Sequence, residues 1–481
     1  MKNSDLNLEL ASYNSKSEIP KNSCRIVFIS EEKQLHKYDL NNSLSKRIAS
    51  VFENKKDEVI TSFDDSQCFW VIATSKESEQ NRKLGISLYK ELEKANCQSS
   101  YLEALKDTSE HEKNSFLEGM LMGSYQFNSY HKKKERKELK VYISNKTASE
   151  TAIKQVTNLI NGVALTRTLV NEPPNKLDSV KFSERIVEAG KKFGFETEIL
   201  QKDKIMELGM GGLLAVNQGS DVPPTFNIMT YKPKNAINKQ PLVLVGKGVT
   251  FDTGGYSLKI SGSMSTMKAD MGGAATVVGI MAAVAINELP YYVIGLVPAT
   301  DNKIDGKALL VDDVITMMDG TTVEIQNTDA EGRLILADAL AYAKQYKPEL
   351  VVDMATLTGA AAAITGPFGI AMAGNQQEKM DELKLSGETT YERLFQLPFW
   401  KEFEKLLKSD VADLKNIGGP IGGASTAGKF LEHFTDYDWI HLDIAGPAFL
   451  KDAQGSNPSG GTGVGVRLLY DFIKLRSEKT N

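Results

Sequence analysis

The sequence predicts an α/β protein of two domains, a small amino-terminal α/β domain and a larger carboxy-terminal one. The larger domain is expected to carry a mixed, largely parallel central sheet flanked by helices. Three observations predict this. Strand-like and helix-like runs alternate along the whole chain. The strand-like runs of the second half are mostly apolar throughout, as in a sheet covered on both faces. The 481 residues exceed what one core ordinarily organises.

In chain order, CRIVFIS (24–30) and CFWVIATS (68–75) read as strands, RKLGISLYKELEKAN (82–96) and EKNSFLEGMLMGSYQF (112–127) as helices, and ELKVYIS (138–144) as a strand. The basic run HKKKERK (131–137) between helix and strand reads as a solvated turn, with an anion-binding patch as the alternative. A long helix follows. Thr147 and Glu150 have capping-box spacing, and the pattern runs to about Val170. It must stop at NEPPN (171–175), because consecutive prolines cannot continue it. The expected organisation is 1–146 for the first domain, 147–170 for a linking helix and 171–481 for the second domain. There LVLVGKGVTF (242–251), YYVIGLVPA (291–299), ELVVDMATL (349–357) and WIHLDIAG (439–446) read as strands, separated by helices near 272–288, 332–346 and 462–475.

Bulk properties narrow the function. A net charge of −5 argues against a protein built mainly to coat nucleic acid. Cys24, Cys68 and Cys97 are an odd set with no metal-like spacing, so buried free thiols in a reducing compartment are expected. The first residues, MKNSDLNLELASYNSK, have no apolar h-region, so no signal peptide is expected. No uninterrupted apolar stretch approaches eighteen residues, so no membrane span is expected. A soluble, cytoplasmic protein is the reading.

Chemistry concentrates in three segments. GKGVTFDTGGYSLK (246–259) carries Lys247, Asp252 and Lys259 beside a Gly-Gly pair. MKADMGGAATVVG (267–279) places Asp270 before a helix. QNTDAEGRLI (326–335) puts Asp329, Glu331 and Arg333 on a strand-to-helix turn. Each falls where a strand gives way to a loop or helix, and in open α/β sheets ligands bind beyond the carboxyl ends of strands. Four carboxylates converging there would repel, so protons or cations must compensate. Two divalent ions carry the matching charge, and a two-metal centre activates a shared water. The bland alternative is that the acids are helix caps and surface charges. No histidine or cysteine lies between 242 and 340, so the site is oxygen-rich. That suits zinc, manganese or magnesium without choosing among them. A lysine beside such a cluster is ordinarily an ion-pair partner, although a dication can take its neutral amine as a ligand. The Met-rich stretch 264–271 fits core or pocket wall equally. His441, on an apolar strand, reads as a satisfied core residue. GKG (246–248) lacks the spacing of a phosphate loop, and GGASTAG (422–428) lacks a nucleophile elbow.

Together these segments resemble the leucyl aminopeptidases, the cytosol aminopeptidase family of dinuclear metallo-exopeptidases. NTDAEGRLILADAL (327–340) is close to that family's signature, and VGKGVTFDTGG, MKADMGGAA and DMATLTGA (353–360) match other blocks in order. LVNEPPN (169–175) and HLDIAGPA (441–448) also look like family segments, and the likeness covers roughly 165–475. The resemblance implies a metal-dependent aminopeptidase that releases leucine-like residues from peptides through a two-metal-activated water. It implies that Asp252 and Glu331 are shared by both metals, that Asp329 and its carbonyl complete one site, and that Lys247 and Asp270 complete the other. Lys259 and Arg333 would be the catalytic pair. Arg333 would hold a bicarbonate acting as base, since no side chain in the motifs is an obvious one. Lys259, Met267, Asn327, Ala330, Thr356, Leu357 and Gly359 match substrate-binding positions. Manganese or zinc is the expected pair of ions, with magnesium compatible, and the expected assembly is a homohexamer of paired trimers.

The chain departs from the pattern at Tyr256 and Ile260, where Ile and Pro are usual, at VDDV (311–314), where a Pro-Gly-Asp turn is usual, and at Glu172, where Thr is usual. These put loop shape and substrate preference in doubt. Two other functions stay open at this point: a Cys-Gly dipeptidase in glutathione turnover, and a moonlighting DNA-binding regulator.

Overall fold

The computed structural model describes residues 6–63, 67–73, 75–103, 109–132, 138–260 and 262–478. Most of the basic run, residues 133–137, therefore lies outside the described residues. The chain divides into two compact units, 1–164 with 453–458, and 165–452 with 459–481. The division falls within the helix Glu150–Asn171.

The first unit is built on a six-stranded sheet, ordered Leu8–Tyr13, Leu139–Ser144, Ser99–Leu102, Cys24–Ile29, Gln67–Ile72 and Glu58–Phe63. Every neighbouring pair is parallel except the last. Helices Ser78–Lys94 and Glu110–Ser124 stand where helical periodicity places them. Free thiols, expected at all three cysteines, are corrected at two: Cys24 and Cys97 form a disulfide. The cause is register. Cys24 opens a strand and lies opposite Ser100 of its parallel neighbour, so Cys97, just before that neighbour, comes alongside. Spacing along the chain does not reveal this, and the inference from thiols to a reducing compartment falls away.

The second unit holds a mixed, largely parallel sheet. Its order is Leu394–Gln396, Ile370–Gly374, Trp439–Asp443, Leu350–Ala355, Leu242–Gly246, Val293–Asn302, Thr225–Tyr231 and Glu196–Leu200, with Gly248–Asp252 paired to the far end of Val293–Asn302. The four central strands run parallel. Their residues are buried throughout. Helix Gly272–Ile286 is apolar around nearly its whole circumference and is likewise buried, while helix Gly332–Ala343 packs Leu334, Leu336 and Leu340 into the core. Among the described residues no helix is long and apolar enough to cross a membrane.

One strand was expected over 242–251; two are found, broken at Lys247. The Lys247 amide donates to Met354 O, and its carbonyl accepts from Ala274 N–H, so the backbone stays satisfied through the break. Asp312, in the VDDV departure, adopts φ 72°, a left-handed conformation that glycine takes freely and aspartate tolerates. That turn therefore forms without the usual glycine.

Asp338, fully buried on helix Gly332–Ala343, accepts backbone N–H bonds from Leu213 and Met318. Burial outweighs those bonds and pushes its carboxyl up to about 7. A folded-state pKa above the unfolded one means stability is fullest below about pH 4 and falls as pH rises toward 7. Chemical denaturation at pH 5 and pH 7.5 is expected to show a loss on the order of a few kcal/mol that Asp338→Asn abolishes.

Candidate metal centre

The acidic segments come together beside the carboxyl end of strand Leu242–Gly246, where Lys247 meets Asp270 and Glu331. Strand Gly248–Asp252 delivers Asp252, which is 2% exposed. Its Oδ1 accepts from Gly254 N–H (2.8 Å) and Asn302 Nδ2 (2.9 Å), which aims the carboxylate. Gly254 has φ 85°, and a Cβ there would meet Asp329 Oδ1 at 3.0 Å, so the Gly-Gly pair lets the loop fold over the acids. Asp270 ends the turn Met267–Ala269 before helix Gly272–Ile286. Glu331 caps the start of helix Gly332–Ala343, where the helix dipole favours a negative charge.

Asp252, Asp329 and Glu331 each offer a carboxylate oxygen within 4.8 Å of the others. Lys247 Nζ lies 2.7 Å from Asp270 Oδ1 and 3.0 Å from Glu331 Oε1. It also donates to the Thr356 carbonyl at 3.0 Å. Lys259 Nζ lies 2.7 Å from Asp252 Oδ2 and 2.5 Å from Asp329 Oδ1. Gly332 is essential to the close approach, since a Cβ there would fall 2.4 Å from Lys247 Cε. Lys247 is held in two ion pairs and cannot simply swing aside.

Electrostatics report crowding. Burial works against the Lys247 ammonium, but Asp270, Glu331 and Asp252 outweigh it and raise its pKa. Lys259, also penalised by burial, is raised by Asp252 and Asp329. Asp270 and Asp329 are themselves raised, mainly by burial and further by neighbouring carboxylates. Four carboxylates face two ammonium groups, a formal surplus of two negative charges. Among the described residues, Asp270 Oδ2 and Glu331 Oε2 are buried with no hydrogen-bond partner. A buried carboxylate oxygen left this way is costly unless a cation meets it. The donor set, oxygens plus amines that dications could displace or deprotonate, fits two hard or borderline divalent ions.

Arg333 is set apart from the acids. It is 7% exposed, its Nη1 donates to Asn416 O at 2.6 Å, and its Nε has no partner. Burial lowers it to about 10, against the pull of Glu331 and Asp443. A buried guanidinium with an unused donor is suited to a small oxyanion.

The remaining candidates lie next to these groups along the chain or on the turn of Thr356, which bonds to Asp270. Asn327 Oδ1 accepts from Asp329 N–H at 2.8 Å, and Ala330 is buried between the two acids. Thr356 Oγ1 donates to Asp270 Oδ1 at 2.8 Å, and Leu357 and Gly359 follow on the same turn. Met267 is half-buried, and Met271 is core, which agrees with the core reading of the Met-rich stretch at that position. His441 is indeed a satisfied core residue, bonded to Asp353 Oδ1 at 2.6 Å. Asn302 and Asn416 escaped sequence reading. Asn416 anchors Arg333 and also donates to Asn327 O at 2.7 Å. TDNK and LKNIGG offer no metal-like or catalytic pattern, and only the fold reveals them. At the departures, Tyr256 Oη donates to Asp305 O at 3.1 Å, tying the Lys259 loop to the segment after Asn302.

Comparison with known proteins agrees with this geometry. The family model described as cytosol aminopeptidase family, catalytic domain, matches residues 164–470. A probable cytosol aminopeptidase of Chlorobium limicola is 46% identical over 376 residues, 75% of this chain and 74% of the relative. One of Chlorobaculum tepidum is 52% identical over 311 residues, 64% of this chain and 61% of the relative. Among solved structures, a bottromycin maturation enzyme, BotP, in complex with Mn superposes with a TM-score of 0.85 at 31% identity, covering 95% of this chain and all of that one. With a buried acidic centre on the sheet edge where that family's motifs fall, the chain belongs to the cytosol aminopeptidase family and is a metal-dependent aminopeptidase.

Proposed function

We propose that this chain removes leucine-like residues one at a time from the free amino terminus of peptides, using two divalent ions. The observation that carries the reading is the surplus of buried carboxylate around Lys247 and Lys259, with oxygens of Asp270 and Glu331 left unpartnered. Asp252 and Glu331 would be shared between the ions. Asp329 with its carbonyl would complete one site, and Asp270 with a neutral Lys247 the other. When bound, the ions supply Lewis acidity and lower the pKa of a shared water. Manganese or zinc is the favoured pair, and magnesium fits the same donors.

The chain's own groups do the rest. Lys259, 15% exposed at its side chain, keeps a protonated amine at the open side of the acids, where it can donate to a carbonyl oxygen as negative charge develops. Arg333 is proposed to hold a bicarbonate through its unused donor, and that anion is the proposed base. Lys259, Met267, Asn327, Ala330, Thr356, Leu357 and Gly359 form the proposed substrate contacts. The continuous helix Glu150–Asn171 supports 147–170 as the link between a domain at 1–146 and the catalytic domain at 171–481.

Exposed Tyr256, Leu258, Ile260, Ile304, Leu310, Val311 and Val314 lie on two segments tied by Tyr256 and Asp305. Exposed apolar side chains on tied segments are what an interface of the proposed homohexamer of paired trimers would use. That the relatives are named cytosol aminopeptidases supports a cytoplasmic location. Neither a Cys-Gly dipeptidase nor a DNA-binding role gains support, and the basic run that motivated the latter lies mostly outside the described residues.

The test uses manganese-loaded protein with leucine p-nitroanilide and its N-acetylated form. The free-amine substrate is expected to be cleaved and the blocked one left intact. Equal hydrolysis of both would overturn the exopeptidase reading.

A further inference from the structure

HLDIAGPA (441–448) contains a buried acid, Asp443, to which the chemistry above gives no role. Asp443 is 1% exposed and closes strand Trp439–Asp443, opposite Ala355 of the neighbouring parallel strand. Its Oδ1 accepts from Leu357 N–H at 3.1 Å and Ala445 N–H at 3.1 Å. Its Oδ2 accepts from Thr358 Oγ1 at 2.7 Å. Both oxygens are thus engaged, unlike those of Asp270 and Glu331, so Asp443 has the environment of a clamp and not of a metal ligand.

The clamp closes on the turn that carries three proposed pocket residues. Thr356 is tied on the metal side, its hydroxyl to Asp270 and its carbonyl to Lys247. Thr358 is tied on the other side, donating to Asp443 while accepting from Ala361 N–H at 2.9 Å at the start of helix Gly359–Thr365. Between them the Leu357 amide is fixed by Asp443 while its side chain packs partly against the core, so the turn is held along its whole length. A carboxylate suits this task because it accepts from three donors and presents none. An amide in its place would turn an NH₂ toward the Thr358 hydroxyl.

We propose that Asp443 and Thr358 are positioning residues that set first-residue specificity by holding in place the turn that carries Thr356, Leu357 and Gly359. This rests on the aminopeptidase reading above. A pocket wall free to shift gives up its fit to a large side chain first, while a small side chain loses little.

The experiment compares kcat/KM for leucine and alanine p-nitroanilides on manganese-loaded wild type, Thr358→Val, Thr358→Ser and Asp443→Asn. The leucine-to-alanine ratio is expected to fall about tenfold in Thr358→Val and Asp443→Asn, mainly through a raised KM for leucine, and to hold in Thr358→Ser. The ratio does not depend on how much of a sample is folded, so a merely structural role leaves it unchanged. Should Thr358→Val fail to fold, Asp443→Asn with Thr358→Ser as its control carries the test. A ratio within twofold of wild type in the variants that fold would overturn the proposal. Wild type inert toward both substrates would overturn the aminopeptidase reading instead.

Discussion

Glu331→Gln is expected to reduce leucine anilide turnover by about 10³-fold or more, the scale of the several kcal/mol that metal charge stabilisation supplies. The substitution keeps shape and removes charge. Glu331 is 2% exposed, so water cannot replace what is lost. One oxygen sits 3.0 Å from Lys247 and the other has no protein partner. Glutamine would turn an NH₂ donor toward an ammonium or toward a cation, and both are repulsive. Loss of a negative charge at the start of helix Gly332–Ala343 costs only about 0.3–1 kcal/mol, so the variant should still fold. Kinetics and a melting curve on the same sample check this. Near-normal turnover in a folded variant would remove Glu331 from the proposed bridge.

Lys259→Ala is expected to lower kcat by about 10²–10³-fold while changing KM little, the size of one lost oxyanion donor. Lys259 touches Asp252 and Asp329, so a rival explanation is that its loss disrupts the acids. The two explanations separate by metal content. As an oxyanion donor, Lys259 is dispensable for holding ions, and removing its positive charge should leave two ions bound or bind them more tightly. Metal analysis of the purified variant beside its kcat decides. A variant that loses its ions along with its activity would make Lys259 a support for the acids and not a catalytic group.

The candidate site was legible because its chemistry needs rare company: four acids, two lysines and an arginine in three short segments, two of them just after a strand and the third, with Asp270, just before a helix. Periodicity revealed the parallel core for a related reason, since Leu242–Gly246 and Leu350–Ala355 are apolar on both faces. What stayed hidden depends on partners far along the chain. Asn416 anchors Arg333 from 83 residues away, and Asp443 holds Leu357 from 86. Neither has a local pattern that sets it apart from any Asn or Asp at the end of a strand. The break at Lys247 is invisible for another reason. LVLVGKGVTF reads as a continuous strand, and only the neighbouring helix and the Met354 carbonyl take up the backbone bonds that a bend would otherwise waste. The Cys24–Cys97 pair likewise follows from strand register, which single-chain periodicity does not encode.

The central claim is that paired dications neutralise the buried acids around Asp252 and Glu331. Calorimetric titration of chelator-treated protein with Mn²⁺ tests it most directly. Two ions per chain are expected for the wild type, with at least one lost in Glu331→Gln. Saturation at no ion, or an identical two-ion isotherm in the variant, would contradict it.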